Sequence, residues 1–126
     1  MDRRKIRVLL VEDQEIHRVV ARAVLRAAGV EADEAKNGAE AVRRVRDGGA
    51  GAYDLILTDK QMPVMDGHEA TRQIRAMGVT TTIVAVSSDS LPSDVQAFIA
   101  AGADDFTPKP LTQEKLGNIL SKFGLA

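Results

Sequence analysis

Short apolar runs rich in β-branched residues recur along this chain, and each is separated from the next by a stretch of helical periodicity. Ile6–Val11, Tyr53–Thr58 and Thr81–Val86 read as strands covered on both faces, since their apolar positions run together rather than alternate. Val30–Ala35 carries many charges, as an edge strand does. Asp105–Pro108 is short, with its proline at the end where no N–H is needed. Between the runs, Ile16, Val19, Val20, Ala23, Val24 and Ala27 follow the i, i+3, i+4, i+7 rule and predict the buried face of a first helix, closed by Gly29. Asn37–Glu40 and Asp66–Glu69 have the side chains of capping boxes. Ala39, Val42 and Val45 follow the first box; Ala70, Ile74 and Met77 follow the second, up to Gly78. Gly48–Ala52 is a flexible break. Val95, Phe98 and Ile99 mark a fourth helix ended by Gly102, and Thr112 caps a fifth, stapled by Leu111 and Leu116 and buried through Leu116, Ile119, Leu120 and Phe123. Five βα units in succession require parallel strands, right-handed crossovers and helices on both faces. The expected fold is a doubly wound α/β sheet.

Composition narrows what such a sheet could do. The 126 residues are one domain's worth, and 17 Lys and Arg against 18 Asp and Glu give no basic field to attract nucleic acid. The chain has no cysteine, which excludes disulfides, thiolate metal sites and cysteine nucleophiles. His17 and His68 are too few and too far apart for a histidine metal site. No apolar run approaches the roughly 18 residues that span a bilayer. Arg3, Arg4 and Lys5 precede an apolar run too short for a secretory signal and too short a basic cluster for a nucleic-acid arm. A cytoplasmic chain with no membrane contact is expected, and the Met1 start favours a complete gene product.

In a doubly wound sheet the ligand crevice lies beyond the carboxyl ends of the strands. Glu12 and Asp13 follow the first strand, Asp59 the third, Ser87 and Ser88 the fourth, and Lys109-Pro110 the fifth. Three carboxylates at one point repel one another by several kcal/mol at intermediate dielectric. Either one is protonated or a hard cation sits among them; with only oxygen ligands nearby, Mg²⁺ is the natural candidate. Sites of that kind handle phosphate. A lysine and a serine hydroxyl beside the metal supply the charge and the donor that a phosphoryl group needs.

Glu12-Asp13, the segment Asp59-Lys-Gln-Met-Pro-Val-Met-Asp66-Gly67, Ser87 and Lys109-Pro110 together resemble the receiver domain of two-component response regulators, across the chain from about Arg7 to the last helix. Residues 1–126 are then one receiver, with the flavodoxin-like strand order 2-1-3-4-5. Within the family, the chain is most similar to receivers of hybrid kinases and to short stand-alone plant regulators of type C, which points to plant cytokinin signalling. The resemblance implies that Asp59 is the phosphoacceptor, attacking a phosphohistidine on a histidine phosphotransfer protein or sensor histidine kinase. It implies that Glu12, Asp13, Asp59 and the Gln61 backbone carbonyl hold Mg²⁺, that Lys109 pairs with the phosphoryl oxygens, and that Ser87 and Phe106 form the switch. Such a domain is no enzyme beyond its own phosphorylation and dephosphorylation, and a monomer with no direct nucleic-acid contact is expected.

Some residues depart from the pattern. Phe106 stands where tyrosine is frequent, and Lys60 and Ser88 where small or apolar residues are. The Lys60 charge is expected to modulate phosphate entry, and Gln61 and Asp89 to tune phosphate lifetime. Taken singly, each element has an ordinary explanation: an acidic pair complements a helix dipole, and Lys-Pro makes a turn. Their conjunction at four strand ends is what carries the reading. His17, on the polar side of the first helix pattern, and His68 are read as solvated, Asp104-Asp105 as a surface pair, and Arg43, Arg44 and Arg46 as a solvated helix face. Two rivals follow from the same residues. A pseudo-receiver that only binds partners is disfavoured by the intact acidic set. An aspartyl phosphatase is disfavoured because Gln61, not an acid, lies two residues past Asp59.

Overall fold

Successive residues of a strand point to opposite faces of its sheet, and here that alternation divides the core in two. Val8, Leu10, Leu55, Leu57, Val84 and Val86 face one layer, and Leu9, Val11, Ile56, Ile83 and Ala85 the other. The computed structural model describes residues 6–49, 51–60, 62–88 and 91–125. The elements are β1 (Arg7–Val11), α1 (Glu15–Ala27), β2 (Glu31–Ala35), α2 (Gly38–Gly48), β3 (Leu55–Thr58), α3 (Gly67–Ala76), β4 (Thr82–Ser87), α4 (Pro92–Ala101), β5 (Asp105–Pro108) and α5 (Gln113–Lys122). All neighbouring strands pair in parallel, in the order β2-β1-β3-β4-β5. The expected doubly wound sheet is therefore present, with β2 at an edge and β3 central.

α1 and α5 cover the first layer through Ala21, Leu25, Leu116, Ile119 and Leu120. α2, α3 and α4 cover the second through Ala41, Val45, Ile74 and Phe98. The expected caps form: Asn37, Asp66 and Thr112 each accept the backbone N–H three residues on. The box at Asp66 is half closed, since the Glu69 carboxylate turns to Arg72 and Gln73 instead. Leu111 and Leu116 are buried in one cluster, as a staple requires.

Of the predicted face of α1, only Val24 packs against the core, partly buried. Ile16, Val19 and Val20 are 72%, 48% and 43% exposed, Ala23 and Ala27 also face solvent, and the helix buries Arg18, Ala21 and Leu25. Two stripes compete on this helix, and the one with more β-branched carbon loses. Arg18 decides it: Nη1 donates to the carbonyls of Glu12 and Asp13, both at 2.9 Å, and Nε lies 3.6 Å from Glu34. A buried guanidinium with acceptors for its donors is tolerated, and its stripe turns inward. Met77 and Ile99, expected on buried faces, are also exposed, at helix positions that overhang their layer.

Candidate functional site

The β1, β3 and β5 ends bring four charged side chains together. Glu12 follows β1 and is fixed by its own N–H, which donates to the Ala35 carbonyl of β2. Asp59 follows β3 and donates its N–H to Val11 of β1, while its Oδ1 accepts from the Lys60 N–H at 2.8 Å. Lys109 follows β5, where its N–H donates to the Ser87 carbonyl and its bond to Pro110 is cis. From there Nζ reaches Glu12 Oε1 at 2.6 Å and Asp59 Oδ2 at 3.3 Å. Glu12, Asp13 and Asp59 each offer an oxygen within 4.8 Å of the others. The sequence expectation for these four residues is met in space.

The site carries a surplus of negative charge. Among the described residues, three carboxylates gather beside one ammonium, and Asp13 Oδ1 is buried with no hydrogen-bond partner. A buried carboxylate oxygen left unpaired costs free energy that a cation would recover. Burial, reinforced by the Asp59 charge, pushes the Glu12 carboxyl above the usual carboxylate range, against the pull of its bonds from Lys109 and from the Gln14 N–H. An all-oxygen donor set with one orphan lone pair fits Mg²⁺, which binds through a few carboxylates and keeps several waters. Gln61, expected to add a carbonyl, lies outside the described residues, as does Asp89.

The loop after β3 is shaped for close approach. A Cβ on Gly67 would fall 1.9 Å from the Asp59 carbonyl oxygen, so only glycine lets the start of α3 pack against the backbone of Asp59. The Gly67 N–H donates to the Lys60 carbonyl and closes that loop. Ser87 is 3% exposed at the end of β4, Ser88 is exposed, and Phe106 is half-buried against the second layer.

The structure adds detail to the expectations about neighbouring residues. The Lys60 charge, expected to modulate phosphate entry, is paired: Nζ lies 2.5 Å from Asp94 of α4. His17 is not simply solvated, because Nδ1 lies 2.9 Å from Lys109 Nζ. His68 packs edge-on against Phe98 at 4.2 Å, and burial holds its imidazole below the usual histidine range. Sequence reasoning missed Arg18, which clamps both carbonyls of the acidic pair. Its signal was present, since Arg18 shares the i, i+3, i+7 stripe with Ala21 and Leu25. Asp104 and Asp105 are more than a surface pair: they accept from the N–H of Ile83 and of Phe106 respectively.

Comparison with known proteins agrees with this geometry. Residues 8–121 match the family model described as response regulator receiver domain. The chain is 73% identical to Two-component response regulator ORR41 of Oryza sativa subsp. japonica over 128 residues, covering 100% of both. Its fold is similar to the receiver domain of Ssk1 from Saccharomyces cerevisiae, solved with the histidine phosphotransfer protein Ypd1, at a TM-score of 0.86 and 30% identity over 95% of this chain and 89% of that one. It is also similar to the receiver domain of sensor histidine kinase PA1611 from Pseudomonas aeruginosa PAO1, solved with magnesium in the active-site cleft, at 0.84 and 34% over 95% and 98%. Among the described residues no helix is long and apolar enough to cross a membrane. With a family match that spans the sheet from β1 to α5 and a carboxylate cluster at the expected strand ends, the chain belongs to the response regulator receiver family.

Proposed function

We propose that residues 1–126 form one receiver that accepts a phosphoryl group onto Asp59 from a phosphohistidine. The observation that carries this is the cluster itself: Asp59 and an unbalanced acidic pair gather around the Lys109 ammonium, with an oxygen of Asp13 that has no partner among the described residues. An Asp59 carboxylate oxygen attacks phosphorus, the bond from phosphorus to the donor imidazole breaks, and the imidazole nitrogen keeps the electron pair. The chain supplies positioning and charge. Lys109, already between Glu12 and Asp59, pairs with the phosphoryl oxygens as negative charge gathers there. Glu12, Asp13 and Asp59, with the carbonyl expected from Gln61, would hold Mg²⁺, whose charge would offset that of the carboxylates and phosphate. Ser87, buried beside Lys109 on the same strand-end rim, meets the new phosphate, and Phe106 turns with it. The surface of α4, β5 and α5 then changes, a population shift driven by one new charge. The chain catalyses nothing beyond its own phosphorylation and hydrolysis.

The donor is a histidine phosphotransfer protein or a sensor histidine kinase, and its seat is the exposed apolar face of α1. Ile16 and Val20 flank His17, whose ring touches Lys109, so an apolar partner surface on this face brings an imidazole to Asp59. The cytoplasm, with access to the nucleus, is the proposed location, since phosphohistidine donors draw on ATP.

The test is transfer from a phosphorylated phosphotransfer protein, with Mg²⁺, to the wild-type chain, Asp59→Asn and Ile16→Glu. Label on the wild type, none on Asp59→Asn, and slower transfer to Ile16→Glu with unchanged labelling by acetyl phosphate are expected. Equal labelling of Asp59→Asn would overturn the assignment of the acceptor.

A further inference from the structure

The Lys109 ammonium has three N–H bonds and, among the described residues, three polar neighbours: Glu12 Oε1 at 2.6 Å, His17 Nδ1 at 2.9 Å and Asp59 Oδ2 at 3.3 Å. An ammonium only donates, so in this contact Nδ1 is the acceptor. Two of the three neighbours are carboxylates on which a cation and the incoming phosphoryl group also draw. His17 is the third, and its Nδ1 also lies 3.7 Å from Glu12 Oε1. It also approaches from a helix whose first turn is fixed to the acidic pair, because the next residue, Arg18, donates to the carbonyls of Glu12 and Asp13.

We infer that His17 is a positioning residue for phosphoryl transfer, its Nδ1 keeping the Lys109 ammonium aimed at Asp59 when the carboxylates are engaged elsewhere. The inference rests on the proposed function, in which Lys109 pairs with the phosphoryl oxygens. It assigns to α1 a part in the chemistry as well as in docking. Nothing in the sequence pattern required a histidine here; any side chain with an acceptor one bond beyond Cγ would serve. Leucine would not, because it leaves one ammonium proton without a partner inside the site.

Two measurements on the full chain test it. The first is the rate of Asp59 phosphorylation by acetyl phosphate with Mg²⁺, followed against donor concentration for wild type, His17→Leu and His17→Asn. His17→Leu lowers the maximal rate about tenfold with donor KM little changed, as loss of one charged hydrogen bond in the transition state implies. His17→Asn returns it to within about twofold of wild type, because the amide Oδ1 is bonded to Cγ as Nδ1 is. The second is the ¹⁵N spectrum of the metal-free protein, where His17 Nδ1 carries the shift of an unprotonated, hydrogen-bonded ring nitrogen that moves in Lys109→Met. The ring is 41% exposed on its side chain, so both His17 variants fold, and thermal melting verifies it. A His17→Leu rate equal to wild type, equal losses in His17→Leu and His17→Asn, or a ring proton on Nδ1 would each overturn the inference. Failure of the wild type to take up phosphate would overturn the proposed function instead, and the ¹⁵N result would still decide the geometry.

Discussion

The two ends of the sheet use the same residue types to opposite effect. At the amino end, the Asp33 carboxylate accepts from Tyr53 Oη at 2.7 Å and from Arg7 Nη2 at 3.3 Å, and Asp54 accepts the Arg7 N–H. Arg75 donates there to the carbonyls of Gly102, Val79 and Thr81 and to Asp104, whose Oδ2 also accepts from Ile83. Charges and backbone groups are matched, and the network ties loops together. At the carboxyl end the count does not close among the described residues: three carboxylates cluster beside one ammonium, which pairs with two of them, and Asp13 keeps an oxygen with no partner. A matched network specifies structure. An unmatched one has room for an added cation and an added phosphate, and it holds that room at a cost in stability.

Removing a member of the matched end should hurt the fold alone. Arg75→Leu strands three loop carbonyls and the Asp104 carboxylate, and about 3 kcal/mol of stability is expected to go with them. A urea midpoint shows the loss, while the rate of phosphorylation per folded molecule stays at the wild-type value; a lower rate per folded molecule would merge the two ends into one network.

The unmatched end should respond with the opposite sign. Asp13→Asn removes one surplus charge, so the metal-free protein gains about 1 kcal/mol, a rise of a few degrees in Tm. Added Mg²⁺ raises the Tm of the wild type and leaves that of Asp13→Asn nearly unmoved, because a ligand stabilises only the state that binds it. A drop in Tm for Asp13→Asn without metal would show that the acidic cluster is balanced after all.

The smallest effect lies between the two ends. Arg22 donates to both oxygens of Glu34, at 2.6 and 2.7 Å, and these bonds hold the Glu34 carboxyl below the usual range. A depressed carboxyl contributes stability above its unfolded pKa, and that contribution is lost as pH falls through the lower folded value. Glu12 runs the other way: its raised carboxyl favours the fold at low pH and withdraws that support as pH rises. Stability measured between neutral pH and the acid limb should therefore fall less steeply in Glu34→Gln than in wild type. The pair is partly solvated, so the change is small.

The parallel sheet, the caps and the four clustered side chains were legible because each depends on local pattern plus one topological rule, whereas the strand order came from the family resemblance. Asn37, Asp66 and Thr112 cap where their side chains predict, and Glu12, Asp13, Asp59 and Lys109 meet because strand ends of a doubly wound sheet must meet. What periodicity misread involves long or ring side chains bonded to groups far along the chain or to backbone. Arg18, Arg75 and His17 look like surface residues in any hydropathy pattern, yet Arg18 and Arg75 hold carbonyls and His17 holds the site lysine. No count of apolar positions registers a carbonyl that needs a donor. That is why Val19 and Val20 of α1 were assigned inward and are found outside.

The inward turn of Arg18 makes two properties of the molecule inherit together. A chain relieved of its acidic loop would have no use for a guanidinium under α1; leucine there would serve better, and the helix could roll its valines into the core. As long as the loop is kept, the valines stay in solvent and the protein carries a sticky flank. Selection on how well this chain stays dispersed and selection on how it signals therefore act on a single hinge of side chains, and neither can be adjusted without moving the other.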